Sequence, residues 1–214
     1  MHLPKAILFD LDGTLTDTLA DLAAATNEAL QKNGSPVYPL DAYRHMVGSG
    51  ARVLIRRALG EKAEETAVDR VLADFLLIYD RDCLKCTAPY EGIPAVIDWF
   101  AGRSIPMAVV TNKPEKQAIR IVEHCFGSPF AAVCGGRPGR PIKPDPTAAL
   151  EVLRDLDIAP ADAWFVGDSD VDMLTAHHAG MTAVGAAWGF RGEEELREAG
   201  ADDIARLPLD LIPE

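Results

Sequence analysis

Lys5-Ala6-Ile7-Leu8-Phe9-Asp10-Leu11-Asp12-Gly13-Thr14-Leu15-Thr16 sets four unbroken apolar residues, Ala6 to Phe9, against two aspartates spaced two apart. An apolar run this short is the pattern of a strand covered on both faces, as in a parallel sheet. Asp10 and Asp12 then stand just past the strand's carboxyl end, where open α/β sheets collect their chemistry. Gly13 permits the sharp turn that follows, having no Cβ to restrict φ and ψ. An Asp-Gly turn alone is ordinary loop chemistry. Two carboxylates ahead of the glycine and Thr14 behind it point to a site instead.

Further along, the same pattern of an apolar run with a polar end returns. Met107-Ala108-Val109-Val110 runs into Thr111-Asn112, and Trp164-Phe165-Val166 into Gly167-Asp168. Residues 131–134 and 182–184 read as two more short strands. Helical spacing marks 94–101, 115–125, 147–156, 171–179 and 193–199 between and after them. Strands alternating with helices give βαβ units and a parallel sheet. Right-handed crossovers bring the carboxyl ends of such strands to one edge, so Asp10, Thr111 and Asp168 are expected in one crevice. Pro141-Ile142-Lys143-Pro144-Asp145-Pro146 adds a lysine in a proline-stiffened loop ahead of a helix, which alone reads as a helix start with an exposed cation.

No strand pattern appears between Thr18 and Thr87. Leu19, Leu22, Ala23, Thr26, Ala29 and Leu30 fall at helical spacing, with Thr16 or Asp17 placed to cap that helix. Helical stretches over 40–46, 52–59 and 64–81 follow, the last with an apolar stripe of Val68, Val71, Leu72, Phe75, Leu76 and Tyr79. The expected fold is α/β: a Rossmann-like parallel core from residues 1–17 and 89–214, with an all-helical insert over 18–88.

With 214 residues, 48 % hydrophobic and 25 % charged, the chain has the make-up of a globular protein able to bury a real core. Its 21 basic against 33 acidic residues give a net charge of -12. Such a surface disfavours nucleic acid and anionic membranes as general partners. It also repels a small anionic substrate, unless a lysine or a metal reverses the sign locally. No cationic leader precedes an apolar stretch and no run of about 18 apolar residues occurs, so a cytoplasmic protein is the expectation. Cys83 and Cys86 have redox or half-zinc spacing, but no strand leads into them and Cys125 and Cys134 do not repeat it. Free, structural thiols are expected. His177 and His178 lack metal spacing and read as surface or packing residues.

Asp10-Leu11-Asp12-Gly13-Thr14, Thr111, Lys143-Pro144-Asp145 and Gly167-Asp168-Ser169-Asp170-Val171-Asp172 together resemble the four ordered motifs of the haloacid dehalogenase superfamily. The resemblance covers essentially the whole chain, and is greatest to the superfamily's phosphatases with a helical cap inserted after the first motif. It implies a phosphatase acting on a small anionic phosphorylated substrate. Uncatalysed phosphomonoester hydrolysis is slow enough to demand accelerations of up to about 10²¹, and a covalent intermediate divides that barrier. Asp10, rigid at the strand end, is the expected nucleophile, and Asp12 the general acid and base. Mg²⁺ would resolve the conflict between phosphate and carboxylates. Its expected ligands are the side chains of Asp10 and Asp168 and, by the resemblance, the backbone carbonyl of Asp12. Asp172 is expected outside them, orienting a metal-bound water. Asp170 is left as a helix-start residue. Thr111 and the amide after it, with Lys143, are expected on the phosphoryl oxygens.

Substrate choice is read from Arg44-His45-Met46-Val47-Gly48-Ser49-Gly50-Ala51-Arg52, which is similar to the cap loop of phosphoglycolate phosphatases. Gly48, Ser49 and Gly50 allow close backbone approach, and Arg44 or Arg52 is placed to meet a carboxylate. Arg56 and Arg57 read as solvated. Asn112-Lys113 and the Trp188-Gly189-Phe190 loop resemble the same subfamily, with Lys113 a candidate for the substrate's carboxylate or phosphate. The expected substrate is therefore 2-phosphoglycolate. Alternatives are another small phosphate (sugar phosphate, nucleotide or pyrophosphate), a phosphosugar mutase, or a receiver-like phospho-acceptor domain. A dehalogenase would need neither Asp12 nor Mg²⁺. Both a monomer and a homodimer are compatible with the sequence.

Overall fold

The structure, a computed structural model, describes residues 2–213. Strand β1 (Ala6–Phe9) is fully buried, as its unbroken apolar run requires. It lies at the middle of a six-stranded sheet whose other strands are β4 (Met107–Pro114), β5 (Ala132–Gly136), β6 (Ala163–Gly167), β7 (Thr182–Ala186) and β8 (Asp203–Ala205). The order is β5-β4-β1-β6-β7-β8, with every pair parallel. Phe9 pairs with Val109 on one side and Val166 on the other, so the three polar strand ends are brought level. The chain leaves β1 toward β4 and β5, then returns to its other side at β6. That reversal opens a crevice at the carboxyl ends.

Alternate side chains of β1 feed different cores. Ile7 and Phe9 join Val109, Trp164 and Val166 on one face, whereas Ala6 and Leu8 join Val110, Phe165 and Met173 on the other. Helices α4 (Ile93–Ala101) and α5 (Glu115–Phe126) lie between the strands in sequence, followed by α6 (Thr147–Asp155), α7 (Asp170–Ala179) and α8 (Glu193–Glu198).

Between the two-residue strands β2 (Thr16–Asp17) and β3 (Ala88–Pro89), which pair antiparallel, the regular elements are all helices. The chain forms α1 (Leu19–Lys32), a 3-10 helix at Leu40–His45, α2 (Ala51–Leu59) and α3 (Glu65–Asp82). Val68, Val71, Phe75 and Tyr79 of the α3 stripe are buried, against α1 and α2. Asp21 ties the start of α1 to the return of the chain, accepting from the backbone of Cys86 and Thr87 and from the Thr87 hydroxyl at 2.9–3.0 Å.

Local boundaries differ from the expectation in three places. Thr18, not Thr16 or Asp17, is the residue before α1, although Asp17 Oδ1 does accept from Leu19 N. Thr16 is instead committed to β2. Strand β4 runs on past Val110 through an irregular register to Pro114, so Thr111 to Lys113 belong to the strand rather than to the loop after it. Strand β8 was not expected, because Asp202-Asp203-Ile204 carries too little apolar pattern to show it. The four cysteines carry free thiols, and no described helix is long and apolar enough to cross a membrane.

Candidate active site

Asp10 follows β1 directly and is 5 % exposed. Beside it, Asp168 follows β6 and Asp172 lies in the first turn of α7, and oxygens of the three buried carboxylates lie within 4.8 Å of one another. Asp172 is fixed by a capping box: Ser169 donates to its Oδ2 from the hydroxyl (2.6 Å) and the backbone amide (3.1 Å). Lys143 reaches in from the proline-rich loop. Its Nζ donates to Asp172 Oδ1 at 2.6 Å and makes an ion pair with Asp10 Oδ1 at 2.9 Å. That second contact is not aligned as a hydrogen bond, and Asp10 Oδ1 is left with no hydrogen-bond partner.

Asp168 is packed as tightly as it is charged. Phe190 N donates to its Oδ2 at 2.7 Å, and the Thr14 hydroxyl donates weakly to Oδ1 at 3.4 Å. Gly13 has φ +84°, and a Cβ there would lie 2.3 Å from Asp168 Oδ2. A Cβ on Gly189 would lie 2.2 Å from Asp168 Cβ. Only glycine fits at either place. Trp188 Nε1 donates to Thr14 O at 2.9 Å, fastening this second loop to the first.

Burial of so many carboxylates around one ammonium has an electrostatic cost. Burial pushes the Asp10 carboxyl up to about 6, with Asp172 and Asp12 adding to the rise against the opposing pull of Lys143. Asp168 is driven well above its ordinary value, by burial first and then by Asp172 and Asp10. Burial works against the Lys143 ammonium, but Asp10 and Asp172 outweigh it and hold its pKa above the usual lysine value. An unpartnered Asp10 oxygen, an all-carboxylate donor set and a pocket of positive-charge deficit fit a hard divalent cation.

Asp12 faces the other way, into a cavity. It accepts from the Thr18 hydroxyl at 2.6 Å and from Lys113 Nζ at 2.8 and 3.1 Å. Asp10, Asp12, Thr111, Asn112, Lys113 and the backbone of Gly48 and Gly50 line that cavity from the expected set. Its opposite wall is helical: Leu22 of α1, Ala51 and Leu54 of α2, Phe75 and Tyr79 of α3. The enclosed space is about 30 Å³, room for about two or three waters.

Four expectations for the stretch around the start of α2 and for β4 change. Arg52 points to the outer surface, paired with Asp69 and Glu65 at 2.6 Å each, because two carboxylates of α3 lie across from it. Arg44 is likewise exposed, 3.7 Å from Asp41. Ser49 does not line the cavity and accepts from Arg57 at 3.3 Å. The Asn112 carboxamide is spent on backbone: it donates to Gly48 O and Lys143 O at 3.0 Å and accepts from Lys143 N at 2.8 Å. Asp170 is exposed at the start of α7. Arg52→Ala should therefore leave kcat and KM within about twofold of wild type in a steady-state assay.

The sequence reading missed Thr18, the Phe190 amide and Tyr79. Thr18 offers a hydroxyl six residues after Asp12, and Phe190 lies in the Trp188-Gly189-Phe190 loop already singled out, without its amide being assigned.

Residues 7–186 match the family profile described as haloacid dehalogenase-like hydrolase. The phosphoglycolate phosphatase of Pseudomonas putida is 38 % identical over 193 residues, 88 % of this chain and 71 % of that protein. Phosphoglycolate phosphatase 1 of Pseudomonas aeruginosa is 35 % identical over 218 aligned positions, covering 99 % and 80 %. Among solved structures, a Lactobacillus delbrueckii subsp. bulgaricus protein proposed to be a phosphoglycolate phosphatase superposes with a TM-score of 0.93 at 29 % identity, over 98 % of this chain and 97 % of that one. CbbY of Rhodobacter sphaeroides, solved in complex with phosphate, does so with a TM-score of 0.78 at 26 % identity, over 98 % and 97 %. With its motifs gathered at one sheet edge and these relatives beside it, the chain belongs to the haloacid dehalogenase-like hydrolase family, among its phosphatases.

Proposed function

We propose that the protein is a Mg²⁺-dependent phosphatase that converts 2-phosphoglycolate to glycolate and phosphate through a phospho-aspartate on Asp10. The observation that carries this reading is the second buried cation. Lys143 serves the carboxylate cluster, while Lys113, its side chain 1 % exposed, stands in the cavity itself and suits a second anionic group on a small substrate. Relatives named as phosphoglycolate phosphatases support the same choice.

In this reading Asp10 attacks phosphorus, and the bonding pair of the scissile P–O bond passes to the leaving alkoxide. Asp12 gives that oxygen its proton, then takes one from the water that attacks the phospho-aspartate. The second attack breaks the bond to Asp10 and returns its carboxylate. Thr111 Oγ1, the backbone N–H of Asn112 and Lys143 Nζ hold the phosphoryl oxygens, where pre-aimed donors are worth most. Asp172 acts through Lys143, which it holds in place. Asp10 and Asp168, with the Asp12 carbonyl, would hold the metal, which when bound neutralises phosphoryl charge and relieves the repulsion among the carboxylates. The helical stretch 18–88 acts as a cap, whose closure excludes water. Gly48 O on Asn112, Val47 O on Arg191, and the Asp80 carboxylate on Lys116 and Gln117, at 2.9–3.1 Å, are among its contacts with the core.

Phosphate release from 2-phosphoglycolate, sugar phosphates and an aryl phosphate, with Mg²⁺ or excess chelator, tests the assignment. Metal-dependent turnover with the highest kcat/KM for 2-phosphoglycolate is expected. Equal, slow turnover of all three would retain the phosphatase and remove the substrate.

Metal and protons should compete. The folded Asp10 value of about 6 lies above the ordinary 3.8, so protonated Asp10 favours the metal-free fold. That contribution is fully present below about pH 4 and is lost as pH rises through about 6. Mg²⁺ needs the ionised form. The rise in Tm on adding Mg²⁺ should thus be larger at pH 8 than at pH 5, as thermal melts would show. An equal rise at both would place the metal elsewhere.

A further inference from the structure

Tyr79 lies on the helical wall of the cavity, 1 % exposed. Its ring stacks on Phe75 with centroids 5.4 Å apart, and Lys113 Nζ lies 4.6 Å from its ring centre. Its hydroxyl is buried and has no hydrogen-bond partner. A buried phenol normally finds one, because a lost bond to water is otherwise not replaced. Burial, and then the nearby Asp12 carboxylate, holds this phenol well above its ordinary pKa, so it is a neutral O–H donor.

The rest of the helical wall offers nothing polar from its side chains: Leu22, Val47, Leu54 and Phe75 are apolar, and Gly48, Gly50 and Ala51 carry no polar group. The opposite, strand-end wall carries all the phosphate chemistry. The side-chain donors on and beside this wall are the Lys113 ammonium and the unpaired hydroxyl of Tyr79, whose residue lines the cavity. Lys113 has three N–H donors and Asp12 takes at most two through its two oxygens, leaving one for a ligand.

We infer that Tyr79 is a specificity-determining residue whose hydroxyl, together with Lys113, donates to the carboxylate of a small phosphorylated acid bound with its phosphoryl group at Asp10. The inference rests on the phosphoglycolate reading and deepens it. A site with a buried donor rejects an analogue lacking the acceptor, since the donor then stays unpaired. Ethyl phosphate, of similar length but with a methyl in place of the carboxylate, is such an analogue.

The test compares wild type and Tyr79→Phe, with Mg²⁺ saturating, on 2-phosphoglycolate and ethyl phosphate. The ratio of the two kcat/KM values should fall about tenfold or more in the variant. Its Tm should stay level or rise, because only an unpaired hydroxyl is lost. A purely structural hydroxyl would move Tm and leave the ratio unchanged, and an unchanged ratio overturns the inference. Wild type with no preference for 2-phosphoglycolate would overturn the substrate reading and this inference together. A wild-type preference that survives Tyr79→Phe overturns this inference alone.

Discussion

Asp10→Asn should abolish phosphate release while leaving the fold intact, with kcat reduced by about 10⁴-fold or more. The amide is nearly isosteric, so the packing around the strand end is kept, but it is a poor nucleophile. Stability should move in the opposite direction to activity. Asp10 is a buried carboxylate facing Asp172 and Asp12, and burial already pushes its pKa up to about 6. Removing its charge removes that repulsion. At pH 8 without metal the variant should melt higher than wild type, and the gap should narrow toward pH 5 as wild-type Asp10 takes up its proton. Thermal melts at the two pH values, beside an assay for released phosphate, check both halves. Residual turnover within tenfold of wild type would remove Asp10 from the role of nucleophile.

Lys143→Met fails in both respects. Methionine fills much of the lysine stem's volume but supplies no cation, so Asp10 and Asp172 lose the ammonium that lies 2.9 and 2.6 Å from them. Breaking a buried pair by removing one partner costs about 3–5 kcal/mol, since the other charge stays buried. Turnover should fall by about 10²–10⁴-fold through loss of charge at the phosphoryl oxygens. Protonation of the stranded carboxylates offers partial relief, so the stability deficit in urea melts should be smaller at pH 5 than at pH 8. A deficit independent of pH would mean that the lysine stem, not its charge, holds the loop.

Much of this arrangement is legible without coordinates, and the reason differs by residue. Asp10 and Asp168 are readable because an apolar strand must stop somewhere, and in a parallel sheet all such stops share an edge. Lys143 is harder, since its loop is locally no different from an exposed helix start. Only the company of the other three motifs separates the two. Arg52 shows the limit in the other direction. Its neighbourhood in sequence is that of a ligand-facing loop, yet the helix after Gly50 turns it outward to Asp69 and Glu65, more than a dozen residues on. Tyr79 is hidden for a different reason. In an apolar stripe a tyrosine is counted for its ring, and nothing in the spacing says that its hydroxyl ends without a partner.

Asn112 joins parts of the molecule that have different jobs. Its single carboxamide grips the main chain on both sides of Lys143 and, with the same nitrogen, a carbonyl of the helical cover. Lifting the cover therefore unpairs the group that also steadies the loop carrying the ammonium. Access to the site and the strength of its electric field thus share one of their fastenings, so lifting the cover would weaken the field as it admits water. Such a coupling would favour turnover only while a molecule is shut inside.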